Sequence, residues 1–326
     1  MPEVVPPPRD PSAAGDSAAF HFDADRVAAE FLRRIAELKA IAANPVHRQH
    51  MVARVLLDGW AVQEPRGTRR SLQPFRIGED GSVHQLSLQG ARNVGFRTDW
   101  VVFGSGSLEQ LWERTERRIP KIRAAIAAGI VFHHPDLVEA VADLVALHHV
   151  RTNRQHRHFR HWLEQHRPEL DLAFARLGHT GDLPDDDQLF RVAAEQLFAF
   201  TRSWVSTGSV QIITPQRPQD EFLISDAATL TVRHLHRGDV PDESGVPLAQ
   251  ANCLFLPIGP RHVAAIGSES GYLQAPARMV RGLNNRQFAH CDEVVFTRPG
   301  SPLQRSLSDQ RRPAGPYRRE QAPASG

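Results

Sequence analysis

An α+β fold is predicted by two features of the chain. Up to about residue 205 apolar side chains recur at helical spacing, whereas from Ser209 onward they fall in short runs with the period of strands. A β-hairpin is expected within the helical half, and a mixed or antiparallel sheet in the C-terminal half. The 326 residues suffice for a large core. Residues 20–298 are read as a single domain, helical to about 205 and sheet-forming over 206–298. The flanks, 1–19 and 299–326, are rich in Pro, Ala and Ser and are expected to be disordered. The second is also basic, with Arg305, Arg311, Arg312, Arg318 and Arg319.

Val27, Phe31, Ile35, Leu38 and Ile41 keep a helical period that Asn44-Pro45 ends. Val52, Val55, Leu56 and Trp60 predict a short helix from His50 to Trp60, on which His50 and Arg54 lie one turn apart. Leu72–Ile77 and Val83–Leu88 flank Gly78-Glu79-Asp80-Gly81, a turn suited to positive φ, and give the hairpin. Val101–Phe103 is β-prone and leads through Gly104-Ser105-Gly106-Ser107 into a helix with a Ser107/Gln110 capping box. Its stripe runs from Leu108 to Ile126, and Pro120 should kink or break it. The glycine-serine loop lacks the lysine of a phosphate-binding loop and is read as a flexible connection.

The helix expected from Pro135 to about Trp162 carries an unusual stripe. Leu137, Val141, Leu144 and Val145 continue into His148, Arg151, Thr152 and Gln155 before Phe159 and Trp162 restore apolar character. A buried arginine and histidine need partners, whether acids, waters or a ligand. Arg167 to Asp187 reads as a linker, and Gln188 to Trp204 as a helix. Strands are expected at Ser209–Thr214, Glu221–Ser225, Thr229–His234, Asn252–Pro257 and His262–Gly267. A helix over Ala277–His290 and a strand over Glu293–Thr297 follow.

Composition excludes several classes. The formal net charge of +2 imposes no field that demands nucleic acid. Lys39 and Lys121 are the only lysines, so lysine chemistry is confined to them. Cys253 and Cys291 are too few for a disulfide framework and make no zinc site alone. The histidines between His133 and His166 scatter around their helix, and no dedicated metal site is read there. No apolar stretch at the N-terminus resembles a secretory signal, and no run is long enough for a membrane helix. A cytoplasmic protein with no membrane partner is expected.

Several segments, in order, resemble a bacterial family, domain of unknown function 4238. His50 to Trp60 resembles its opening signature, with Ala53 in place of a proline and Leu56 in place of an aromatic. Glu109 and Glu116 stand near acids of the family, and His149-Val150-Arg151-Thr152 resembles its arginine-bearing segment. Phe222-Leu223-Ile224-Ser225-Asp226 resembles a strand ending in Ser-Asp, with Ala227-Ala228 where Asn-Pro would follow. Leu254 to Pro260 and Asn284 to Val295 are similar to later segments. The resemblance spans roughly Val46 to Thr297 and implies site positions without a reaction or a cofactor.

Residues and resemblance together predict an interior site where His50, Arg54, His148, Arg151, Ser225 and Asp226 converge, supported by Glu109, Glu116, Gln155 and Asn284. Two basic groups, a carboxylate and no cofactor fingerprint fit hydrolysis or transfer on an anionic, phosphate-bearing substrate. Two other readings stay open. The same residues could form a module that senses a ligand or binds nucleic acid without turnover. They could also be a satisfied polar network that fixes the fold.

Overall fold

The computed structural model describes residues 22–41, 45–64, 67–181, 183–233 and 243–310, and its fold is α+β, with helices mainly in the first half and the larger sheet in the second. Helix α1 (Ala24–Ala40) starts where the Asp23 carboxylate accepts from Arg26 N–H, and it buries Phe31, Ile35 and Leu38 as the spacing predicts. The next expectation fails. Arg48–His50 is strand β1, and only Arg54–Leu57 forms a helical turn, α2. Between them the Met51 and Val52 N–H groups donate to Gly95 O at 2.7 and 3.3 Å, which turns the chain. A distant strand thus claims His50 despite the local helical period.

Strands β2 (Val62–Gln63) and β3 (Arg70–Ser71) form a small ladder, and β4 (Gln73–Ile77) pairs with β5 (Val83–Gln85) as the expected hairpin. Its turn contains Gly81 at φ 81°. Strand β6 (Phe96–Thr98) is the partner of β1, with His50 opposite Phe96. Val101–Phe103 forms no strand, because Val102 and Phe103 N–H donate to the Asp187 carboxylate. Helix α3 (Ser105–Glu116) begins from Gly104 in the left-handed region, at φ 59° and ψ 18°. Ser107 therefore lies inside the helix and makes no capping box; its hydroxyl donates to Gly104 O at 2.8 Å. The break at Pro120 is present, with that proline in the first turn of α4 (Ile119–Ala127).

The predicted Pro135–Trp162 helix is two helices, α5 (Pro135–Val150) and α6 (Asn153–Arg176). Thr152 is extended at φ −136° and ψ 150°, and its hydroxyl accepts from Gln155 N–H at 3.2 Å. Thr-x-x-Gln is the spacing of a helix start. Half of the supposed linker, up to Arg176, belongs to α6, where Leu170, Ala173 and Phe174 pack with α1. Helix α7 (Asp186–Ser206) has a complete capping box between Asp185 and Gln188.

The main sheet comprises β7 (Ser209–Pro215), β9 (Leu230–Arg233), β10 (Glu243–Ser244), β11 (Cys253–Gly259), β12 (His262–Gly267) and β13 (Gly271–Ala275), with β8 (Ile224–Ser225) going elsewhere. Its order is β10-β9-β11-β12-β7-β13, antiparallel except where β13 runs parallel to β7. Alternation sorts the faces. Leu254, Leu256, Ala264, Ile266 and Ile212 join the core with α5, whereas Phe255, Val263, Ala265 and Ile213 join that of α8 (Ala277–His290). Burial on both faces explains the nearly continuous apolar run of β11. A second sheet, β5-β4-β14-β8, unites the N-terminal hairpin with β14 (Val294–Thr297). Beyond it, Leu303–Ser308 forms α9 and buries Leu307, so the stretch expected to be a disordered tail from Pro299 begins with a helix. The expected N-terminal tail, 1–19, and residues 311–326 of the C-terminal one lie outside the described residues.

Gly95 receives the Met51 and Val52 N–H groups at φ 68°, and a Cβ there would stand 2.9 Å from Leu57 Cδ1. Gly95→Ala is expected to lower the unfolding free energy by about 1–3 kcal/mol, measured by urea denaturation. An unchanged midpoint at unchanged slope would show that this turn carries no strain.

Candidate functional site

Glu109, Trp112 and Glu116 are spaced three and four residues apart on α3, so they form one stripe. Arg151, at the C-terminal end of α5 and 1% exposed, fills the space over it. Its Nη1 donates to Glu116 Oε1 at 2.5 Å, and its Nη2 to Glu109 Oε1 and Oε2 at 2.9 and 3.0 Å. The guanidinium carbon lies 4.5 Å from the Trp112 ring centre. Burial pushes the Glu109 carboxyl up, against the downward pull of Arg151. The Arg151 Nε is buried with no partner among the described residues.

His50 stands beside this cluster. Burial first, then the charges of Arg151, Arg48 and Arg54, holds its imidazole down at about 4, so it is neutral near pH 7. The Arg92 backbone opposes this only slightly, and Nε2 is buried without a partner among the described residues. Arg48 shares the His50 face of β1, two residues away, and its guanidinium lies 3.8 Å over the Phe96 ring. Arg54 reaches the site from α2, not from a common helix with His50. Arg48 and Arg54 are exposed, and neither has an ion pair among the described residues.

Three more buried nitrogens without partners adjoin this place: Gln49 Nε2, Trp100 Nε1 and Trp112 Nε1. Gln49 precedes His50 and accepts Val101 N–H through Oε1 at 2.9 Å, and the Trp100 and Trp112 ring centres are 5.6 Å apart. Buried polar groups are normally paired. Here four orphaned N–H donors and one imidazole nitrogen belong to neighbouring residues. Arg48, Gln49, Trp100 and Trp112 were not among the predicted site residues. Arg48 becomes visible only with the two-residue period of a strand, and Trp112 reads as core until Arg151 is seen against it.

Other predicted members are saturated elsewhere. His148 is fully buried; its Nδ1 bonds Leu144 O at 3.0 Å and its Nε2 accepts Ala53 N–H at 3.1 Å. Burial, chiefly, holds it at about 4, and it braces α2 against α5 with no nitrogen left over. The Ser225 hydroxyl lies 2.8 Å from Gln287 Oε1 and 3.0 Å from Ala227 O. Asp226 accepts the N–H groups of Asp292, Glu293 and Val294 at 2.8, 2.7 and 3.0 Å. Burial, then the Asp292 carboxylate, pushes its carboxyl above the usual range. Asn284 accepts Leu223 N–H at 3.0 Å and donates to Glu221 O at 2.8 Å. These partners lie on or beside β8, β14 and α8, so Ser225, Asp226 and Asn284 tie the β8–β14 edge of the second sheet to α8 rather than meeting His50. Gln155 contacts His149 Nε2 at 3.2 Å on the far side of the helix break. Of the expected constellation, His50, Arg54, Arg151, Glu109 and Glu116 come together.

Among the described residues no three of His, Cys, Asp and Glu are grouped so as to hold a metal ion, and no helix is long and apolar enough to cross a membrane. The family model described as "Protein of unknown function (DUF4238)" matches residues 48–301. No curated protein and no solved structure matches the chain.

Arg151→Met leaves two carboxylates without their counter-ion, and about 3 kcal/mol of stability should be lost, less whatever water reaching the half-open glutamates restores. Adding Glu109→Gln and Glu116→Gln should recover most of it; a triple variant no better than the single one would mean the clamp is not the cause. A pH dependence follows from His50, His148 and His149, each held at about 4 against an ordinary 6.5. Between those values these three rings bind more protons in the unfolded chain, and the raised Asp226 carboxyl, which holds its proton in the fold, offsets only part of this, so stability should rise with pH and be lost on acidification from 6.5 toward 4. A melting temperature flat across that window would contradict their burial as neutral rings.

Proposed function

The chain belongs to the DUF4238 family, whose description assigns no reaction, and from the geometry around His50 we propose a hydrolase or transferase acting on a small anionic, phosphate-bearing substrate. The observation that carries this reading is the unpartnered His50 Nε2, kept neutral and ringed by Arg48, Arg54 and Arg151. Arg151 is paired with two carboxylates, Glu109 and Glu116, while Arg48 and Arg54 near His50 have no ion pair among the described residues, so the group as a whole carries one positive charge in excess. An anion would restore balance, and Arg48 and Arg54 are free to grip its oxygens.

Each group then has a defined part. The glutamates fix the Arg151 plane and occupy Nη1 and Nη2, leaving Nε as a donor toward an oxygen on which charge develops. His50 Nε2 is assigned the lone pair in this reading, with the ring proton on Nδ1. In hydrolysis a water proton passes to Nε2 as its oxygen bonds to phosphorus. The bond to the leaving oxygen breaks with its electron pair, and that oxygen takes a proton from the imidazolium or from solvent. A bound dianion opposes the arginine charge that depresses His50, which raises the imidazole back toward its ordinary value and makes it a stronger base while substrate is present.

The test is calorimetric titration with inorganic phosphate, and turnover against a panel of phosphomonoesters and nucleotides. Arg48→Ala with Arg54→Ala is expected to weaken phosphate binding at least ~10-fold, one to two charge-assisted contacts' worth. His50→Gln is expected to cut turnover ~100-fold or more while changing phosphate affinity only a few-fold. Binding without turnover by the natural chain would make it a ligand-sensing module, and no phosphate binding at all would end both readings.

A further inference from the structure

A cleft of about 260 Å³ opens beside the α5–α6 break, against α7. Phe159 and Trp162 of α6 and Phe190 of α7 form its walls, with ring centres 5.5 Å apart for Phe159–Phe190 and 5.7 Å for Phe159–Trp162. Ala193 leaves the room between the helices that a larger side chain would close. Binding sites for drug-sized molecules run from about 300 Å³ upward, so this one suits a single small ring system. The cleft is shared by no residue of the His50 cluster.

One wall is polar in a specific way. Gln155 lies half-buried at the cleft, and its amide makes a single contact among the described residues, to His149 Nε2 at 3.2 Å. An amide has two N–H donors and a carbonyl with two lone pairs. Whichever way it is turned, one contact to the imidazole leaves both a donor and an acceptor. Aromatic faces beside a donor–acceptor edge are the combination by which side chains stack on a base and read its edge; glutamine pairs with adenine in this bidentate manner. We propose that the cleft binds a planar aromatic heterocycle with a hydrogen-bond donor and acceptor side by side, the chemistry of a nucleobase edge.

Equilibrium dialysis of the full chain with adenine tests this, with purine, which lacks the exocyclic amine, and indole, which lacks the paired edge, as comparators. Adenine should bind saturably and at least ~10-fold more tightly than either comparator, the discrimination expected of one bidentate pair. Ala193→Phe should abolish adenine binding by filling the cleft. Gln155→Leu should weaken adenine at least ~10-fold and leave indole unchanged, and it carries the test alone if the phenylalanine variant does not fold. His50→Gln should leave adenine binding as it is. No saturable adenine binding, adenine bound equally by a folded Ala193→Phe variant, or indole bound as tightly as adenine would each overturn the proposal.

Discussion

The placement of Arg151 constrains everything around it. A guanidinium that has left water must be answered on its own side of the molecule, and here two carboxylates from one helix and the face of Trp112 answer it. Such a pair is a weak source of net stability, because desolvation of three charges offsets most of their attraction. Its contribution is positional. Seating the side chain over α3 fixes where α5 ends, and Thr152 can then cap a new helix beyond it. The place where α5 gives way to α6 and part of the charge felt by His50 both trace to that one ion cluster.

The polar residues of the interior divide by whether their hydrogen-bonding capacity is used. His148, Ser225, Asp226 and Asn284 spend theirs on backbone and amide partners, and each ties a strand or turn in place. The nitrogens at Gln49, His50, Trp100, Trp112 and Arg151 stay orphaned within one neighbourhood. The first group resembles the mortar found in many cores. Among the described residues, these clustered unmet donors are where a ligand or ordered water would lower the free energy.

Much of the architecture was legible because its causes are local. The switch from helical to two-residue spacing marks the α+β division, Gly78–Gly81 marks the hairpin, and Pro120 marks the α3–α4 break. The misreadings share one cause, a distant partner that overrides the local pattern. Phe96 opposite His50 turns a helical stripe into a strand, and Asp187 takes the N–H groups that Val101–Phe103 would have given a neighbour. At the site, a stripe interrupted by His148 and Arg151 correctly shows two buried polar groups. It cannot show that Leu144 O and Ala53 N–H already occupy the first, while Glu109 and Glu116 hold the second. Nor can a Ser-Asp strand end reveal that three backbone N–H groups close around the acid. The break at Thr152 was accessible from Thr-x-x-Gln spacing, but the continuous stripe masked it.

The sheet shared by β4 and β14 has a consequence for synthesis. Strand β4 ends at Ile77 and its neighbour begins at Val294, so one edge of the N-terminal hairpin has no partner while the intervening chain is made. At ordinary translation rates that interval is on the order of ten to forty seconds. Throughout it, the apolar Phe75 and Ile77 lie on an open strand edge, the template on which nascent chains associate wrongly. The last strand to be translated is therefore the one that protects the N-terminal hairpin.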